Sequence, residues 1–298
     1  MTTIHVFDET GSQDELRERV DRILGRVAPL VETTTGLSLP ATVTVRIVPV
    51  ETWQTEQTAD MQCRLRTYGG AMPLWKRPLI RAVGAAMLRR FRKLAPRLGG
   101  VMVMGATQPG TGDESQTLLV PRALEHTGAL ANPYLTQLLV HELIHHAQNA
   151  ASGHRAHWSA HAPAAGLRSL GVDVLEEGHA HWADQTITQQ EFGAAVDVHS
   201  APKSPRYEEV AKDPAIARRK QRDAPYKVGR VLVASAIDTV GTYGVNRVWS
   251  DALLLPTQEE IAEAVAASTA DEPTQPRLWA TRLELTAERC PAGDRSKT

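Results

Sequence analysis

Two histidines four positions apart, in His141-Glu142-Leu143-Ile144-His145, constrain this chain more than any other feature, because the spacing has a use only on a helix. Residues four apart share one helical face, so both imidazoles reach the same point in space, with Glu142 beside it. That is how a helix holds zinc, with the carboxylate placed to take a proton from water at the open coordination position. With 11 His in 298 residues, composition alone would give about 0.03 such matches, so chance is a poor explanation. Pro133 can start the helix, and Tyr134, Leu135, Leu138, Leu139, Leu143 and Ile144 give it an apolar side, which predicts one helix over 133–151.

A catalytic zinc usually takes three protein ligands and keeps the fourth position for water, so a third ligand is needed downstream. A histidine six residues after His145, as in metzincins, would fall at position 151, which is Ala. That spacing excludes the class. Two stretches remain: a connection bearing His154, His157 and His161, and the helical-looking segment Val174-Leu175-Glu176-Glu177-Gly178-His179-Ala180-His181-Trp182. The histidine run has spacings of three and four but no companion Cys or acid, and reads better as exposed polar positions than as a second metal site. Trp158 and Trp182 read as packing residues.

The second stretch resembles the gluzincins, metallopeptidases in which a HExxH helix is followed by a helix with a Leu-x-Glu-Gly-x-Ala pattern. The resemblance implies that Glu177, 32 residues after His145, is the third ligand. Glu176 then points about a quarter turn away and is expected to be a solvated charge. Small residues at Gly178 and Ala180 are expected to let this helix approach the HExxH helix closely. Pro225-Tyr226-Lys227-Val228-Gly229 is similar to the Pro-Tyr-x-x-Gly segment of aminopeptidase-N-like gluzincins. By that resemblance Tyr226 donates a hydrogen bond to the oxyanion; the alternative is a core tyrosine at the start of an apolar helix.

The similarity spans about 110 residues, from Pro133 to Gly244, and departs from the family in one respect. Thermolysin-like members place an Asp four residues after the ligand Glu to hold a ligand histidine, whereas here that position is His181. Asp184, seven after Glu177 and on the same face, is the candidate substitute, and a plain surface acid is its alternative. No convincing Gly-x-Met-x-Asn segment lies upstream, so aminopeptidase specificity is not implied.

The implied fold is α+β: a zincin-like domain with a small mixed sheet, two metal-bearing helices and a helical C-terminal part. Periodicity gives the element order. Residues 12–35 read as an amphipathic helix stopped by Gly36, and 41–48, 101–104 and 117–120 read as strands. This divides the chain into an N-terminal α/β part (1–125) with an irregular insertion (52–100), zinc-site helices (126–190), a helical C-terminal part (191–285) and a tail (286–298) expected to be disordered. The segment 115–120 is assigned as the edge strand that pairs with an extended peptide. Residues 190–224 are expected to form a mobile flap.

The insertion contains a basic helix with Arg77, Arg81, Arg89, Arg90, Arg92 and Lys93. Its apolar side, Leu79, Ile80, Val83, Met87, Leu88 and Phe91, suits packing, so the charges read as a solvated face. A net charge of −1 and 42% hydrophobic residues fit an enzyme with a real core and no nucleic-acid partner. No apolar run reaches about 18 residues and no secretory signal is visible, so no membrane association and a cytoplasmic location are expected. Cys63 and Cys290 read as free thiols. The expected activity is peptide-bond hydrolysis of a peptide or protein substrate, with Zn2+ on His141, His145 and Glu177, and Glu142 as base. The alternatives are a zinc hydrolase of a small non-peptide molecule and a catalytically silent zinc-stabilised binding protein.

Overall fold

The computed structural model describes residues 2–110, 114–153, 169–214, 216, 224–269 and 274–289. It is an α+β protein, mostly helical, with one small mixed sheet and a helical C-terminal part. Strand β1 (Thr3–Asp8) leads into α1 (Asp14–Thr35), whose buried Leu16, Val20, Ile23, Leu24, Val27 and Val31 recur at helical spacing. Gly36 ends that helix at φ 66°, a left-handed turn that glycine adopts without steric cost. Strand β2 (Thr42–Ile47) follows and buries every second residue, Val43, Val45 and Ile47.

Where the sequence read as an irregular insertion with one basic helix, the chain forms a long hairpin of α2 (Val50–Ala71) and α3 (Arg77–Val101, the basic helix), joined by a short 3-10 turn at Leu74–Lys76. The glycine pairs Gly69-Gly70 and Gly99-Gly100 both lie inside these helices. Gly99 is required there: a Cβ on it would meet the Trp53 ring at 2.2 Å, so the glycine is what lets α3 lie on that indole. The strand expected over 101–104 begins later, as β3 (Gly105–Pro109), because Leu94, Ala95, Leu98 and Val101 keep helical periodicity against Trp53. Leu79, Val83 and Met87, expected to pack, face water instead.

Strand β4 (Ser115–Leu119) completes the sheet in the order β1-β2-β4-β3, with β1, β2 and β4 parallel and β3 antiparallel to β4. The expectation that 115–120 is an edge strand is therefore corrected. Both sides of β4 are paired, and β3 is the edge beside the cleft. The strand at Thr3–Asp8 was not expected from the sequence, although Ile4 and Val6 alternate. Leu118 and Leu119 point to opposite faces and enter two separate cores, as a strand's two-residue period dictates.

Beyond the sheet, α4 (Pro121–Thr127) leads to α5 (Asn132–Ala151), which carries the HExxH segment, and then to α6 (Ser169–Phe192). Helix α7 (Pro205–Ala211) lies in the stretch read as a flap, and α8 (Ala224–Asn246), α9 (Gln258–Thr269) and α10 (Leu278–Arg289) form the helical C-terminal part. The described part of the flap segment is tied down. The Val198 N–H donates to Gln137 Oε1 at 2.6 Å, and Lys203 Nζ donates to the Thr127 and Val198 carbonyls at 2.9 and 2.8 Å. It is a wall of the cleft.

Candidate metal centre

Helix α5 presents His141 and His145 on one face, as four-residue spacing requires, and the rings meet edge to face with centroids 4.8 Å apart. Each ring has its Nδ1 engaged. His141 Nδ1 donates to Asp184 Oδ2 at 2.9 Å, and His145 Nδ1 donates to Gln148 Oε1 at 2.8 Å. Both Nε2 atoms therefore carry their lone pairs toward a common point, 3.2 Å apart. Glu177 on α6 supplies the third donor, with Oε2 at 3.3 Å from His141 Nε2 and 3.8 Å from His145 Nε2.

This triangle fits a tetrahedral ion. Donors about 2.0–2.2 Å from zinc lie about 3.3 Å from one another along the edges of the tetrahedron. Among the described residues, these three side chains are the group able to hold a metal. The electrostatics agree: burial pushes His141 toward the neutral form, but hydrogen bonds to Asp184 and Glu177 outweigh it and raise its pKa well above normal. Negative charge converging on one point is also what a divalent cation satisfies. Burial pushes Glu177 up, but the His141 hydrogen bond, the neighbouring His145 and the Tyr226 hydrogen bond hold it down at about 2.

Glu142 lies beside the triangle, 7% exposed, and Oε2 accepts the Thr107 hydroxyl of β3 at 2.7 Å. Gly105 on the same strand is within 3.3 Å of Glu142 Oε1 when given a Cβ, so the strand runs directly against the carboxylate. Thr107 also meets the Thr117 hydroxyl at 2.8 Å. Thr117 and Ser115 in turn hold the two ring nitrogens of buried His146, at 2.9 and 2.8 Å. Burial, with the neighbouring His145, keeps His146 neutral by lowering its pKa to about 3. It is a structural histidine behind the site.

Tyr226 at the start of α8 stacks on His141, with centroids 6.0 Å apart, and its side chain hydrogen-bonds Glu177. Asp184, 1% exposed, also accepts from Gln137 Nε2 at 3.1 Å and lies 3.4 Å from His181 Nδ1. Thus His141, Glu142, His145, Glu177, His181, Asp184 and Tyr226 all line one cleft of about 440 Å3. Glu176, expected as a solvated charge, is half-buried. Burial and the adjacent Glu177 push its pKa up to about 8. His179 faces away, between Trp182 and Trp249, and burial lowers its pKa to about 3. His154, His157, His161, Trp158 and Cys290 lie outside the described residues.

Thr107 and Gln148 were not found from the sequence. Gln148 had a signal, since it is one turn beyond His145, whereas Thr107 is 35 residues from Glu142 with nothing linking them before the chain folds. Gly178 also plays a different part from the one expected. A Cβ there would meet the backbone of Gly229 on α8 at 2.3–2.6 Å, so the glycine allows α6 to approach α8, and not α5.

No protein-family model matches the chain, and no curated protein is similar to it. Among solved structures it is similar to a candidate hydrolase with a novel fold from Chloroflexus aurantiacus. The TM-score is 0.54 over 92% of this chain and 91% of that one, at 15% identity. At that identity the likeness is one of fold. The fold and the site together define an α+β protein with a His-His-Glu donor set carried on two packed helices.

Proposed function

We propose that this protein is a zinc-dependent peptidase on the gluzincin plan, with His141, His145 and Glu177 as the metal ligands. The observation that carries this reading is the donor triangle, with edges of 3.2, 3.3 and 3.8 Å, set beside the Glu142 carboxylate. Bound there, zinc would polarise the scissile carbonyl and acidify water enough for attack near neutral pH.

The chain's own residues do the rest. Thr107 holds Glu142 Oε2, leaving Oε1 to take a proton from the attacking water and return it to the leaving nitrogen. Tyr226, beside Glu177, is the donor for the negative oxygen that develops on the substrate. Asp184 and Gln148 fix the ring tautomers that aim both Nε2 atoms inward. Gly105, Ala106 and Thr107 of the edge strand line the cleft next to Glu142, so an extended backbone can pair with them. That edge favours a peptide over a small metabolite.

Elemental analysis and peptide-library turnover test the reading together. Wild type is expected to hold about one zinc and hydrolyse peptides. Glu177→Ala should lose most of the metal, and Glu142→Gln should keep it while losing turnover. Zinc retained by Glu177→Ala, or turnover retained by zinc-loaded Glu142→Gln, overturns the assignment.

A further inference from the structure

The hairpin of α2 and α3 has a charge pattern that the cleft does not use. From Met61 to Gly112 the chain contains ten Arg or Lys and no Asp or Glu, in a protein whose net charge is −1. Among the described residues, only Arg64 and Arg97 of these ten pair with a carboxylate, Asp60 and Asp213 respectively. The same hairpin exposes large apolar groups. Leu74 and Trp75 at its tip are 75% and 77% exposed, and Leu79, Val83 and Met87, four residues apart along one side of α3, are 68%, 50% and 53% exposed. Leu65, Arg66, Arg77, Ile80, Arg81 and Leu88 line a groove of about 470 Å3 between the two helices.

An apolar stripe flanked by cations and ending in a tryptophan suits a surface that is both greasy and negative. Duplex nucleic acid satisfies the charge but offers little to cover Leu74, Leu79, Val83 and Met87. A second copy could cover the apolar stripe, but it would bring the same excess of cations against itself. A bilayer interface with anionic headgroups supplies both components, and tryptophan favours the headgroup level.

We propose that the α2–α3 hairpin is a peripheral anchor that docks on bilayers containing anionic phospholipid. Leu74 and Trp75 enter the interface, Leu79, Val83 and Met87 lie along it, and the exposed Lys76, Arg90 and Lys93 on the same side meet the phosphates. No helix among the described residues is long and apolar enough to cross a membrane, so the contact is with one leaflet. The tip lies apart from the metal centre: the hairpin lines the cleft through Trp53 and Gln57 of α2 and Phe91 and Leu98 of α3. Phe91 is 16 residues, about 24 Å of helix, from Trp75.

The test is vesicle flotation of the full chain with phosphatidylcholine alone and with phosphatidylcholine mixed with phosphatidylserine. Wild type should float only with the mixed vesicles, and less as salt is raised. The exposed double variant Leu74→Ser/Trp75→Ser should bind at least about tenfold more weakly. Arg90→Glu/Lys93→Glu should bind at least about thirtyfold more weakly. Both variants should keep the wild-type circular dichroism and metal content. Absence of flotation with the mixed vesicles, equal flotation with phosphatidylcholine alone, or undiminished flotation by Leu74→Ser/Trp75→Ser overturns the proposal. Duplex-DNA binding in place of flotation would overturn it in favour of a nucleic-acid surface.

Discussion

Asp184 shows how much of the centre depends on a residue that does not touch the metal position. Its carboxylate takes the His141 Nδ1 proton at 2.9 Å and is itself held by Gln137 at 3.1 Å, so it fixes the tautomer that leaves Nε2 as a donor. In Asp184→Asn the amide can present its N–H to Nδ1 and stabilise the opposite tautomer, with the proton on Nε2. Zinc affinity should then fall about 10- to 100-fold, measured by competition with a chromogenic chelator. Unchanged affinity would make Asp184 a buried structural acid. Its position seven residues after Glu177 made it legible, because two helical turns return to the same face. Thr107 was not legible, since a hydroxyl in a strand carries no local mark of the carboxylate it will meet.

At the scale of elements, the pairing of Gly178 and Gly229 sets how α6 meets α8. These glycines belong to the two motifs that supply Glu177 and Tyr226, so one close approach positions both residues. Gly178→Ala would drive a methyl into the Gly229 backbone and should cost about 3 kcal/mol, lowering Tm by roughly 6–12 °C. A thermal melt within a degree or two of wild type would refute that packing. Helix α9 starts with a reciprocal cap, the Thr-x-x-Glu spacing of a capping box at Thr257 and Glu260. The Thr257 N–H donates to Glu260 Oε2 at 2.7 Å and the Glu260 N–H to Thr257 Oγ1 at 3.3 Å. Glu260 also receives Arg282 from α10 at 2.7 Å. Burial pushes its pKa up, but the Arg282 and Thr257 hydrogen bonds outweigh that and hold it below the ordinary 4.5. A depressed carboxylate stabilises fully above its unfolded value, and that contribution is lost as pH falls through the folded one. The Tm of wild type should therefore drop more steeply than that of Glu260→Gln as pH is lowered through 4.5, where the carboxyl of the unfolded chain is half protonated. Parallel Tm profiles would show that the pair contributes nothing.

At the scale of the molecule, a donor set drawn from α5 and α6 would couple metal binding to folding, because the unfolded chain does not hold the three atoms together. With free zinc about 100 times its dissociation constant, the chain should gain about 2.7 kcal/mol and its Tm should rise by roughly 5–10 °C relative to chelated protein. The shift should vanish in Glu177→Ala. A wild-type Tm indifferent to zinc would show that the folded triangle takes no zinc. Local sequence determined α1, the HExxH helix, the cap of α9 and the convergence of His141 with His145, because helical periodicity and four-residue spacing act within one element. It showed the basic helix of α3 but missed α2 and placed a strand over 101–104, where packing on Trp53 keeps Leu98 and Val101 in the helix. Only the tertiary structure decided that β3 is the edge strand beside Glu142, that Thr107 and Gln148 steady the site, and that Gly178 meets Gly229. Those contacts join segments far apart in the chain, and side-chain periodicity carries no information about which distant segment will supply the other half.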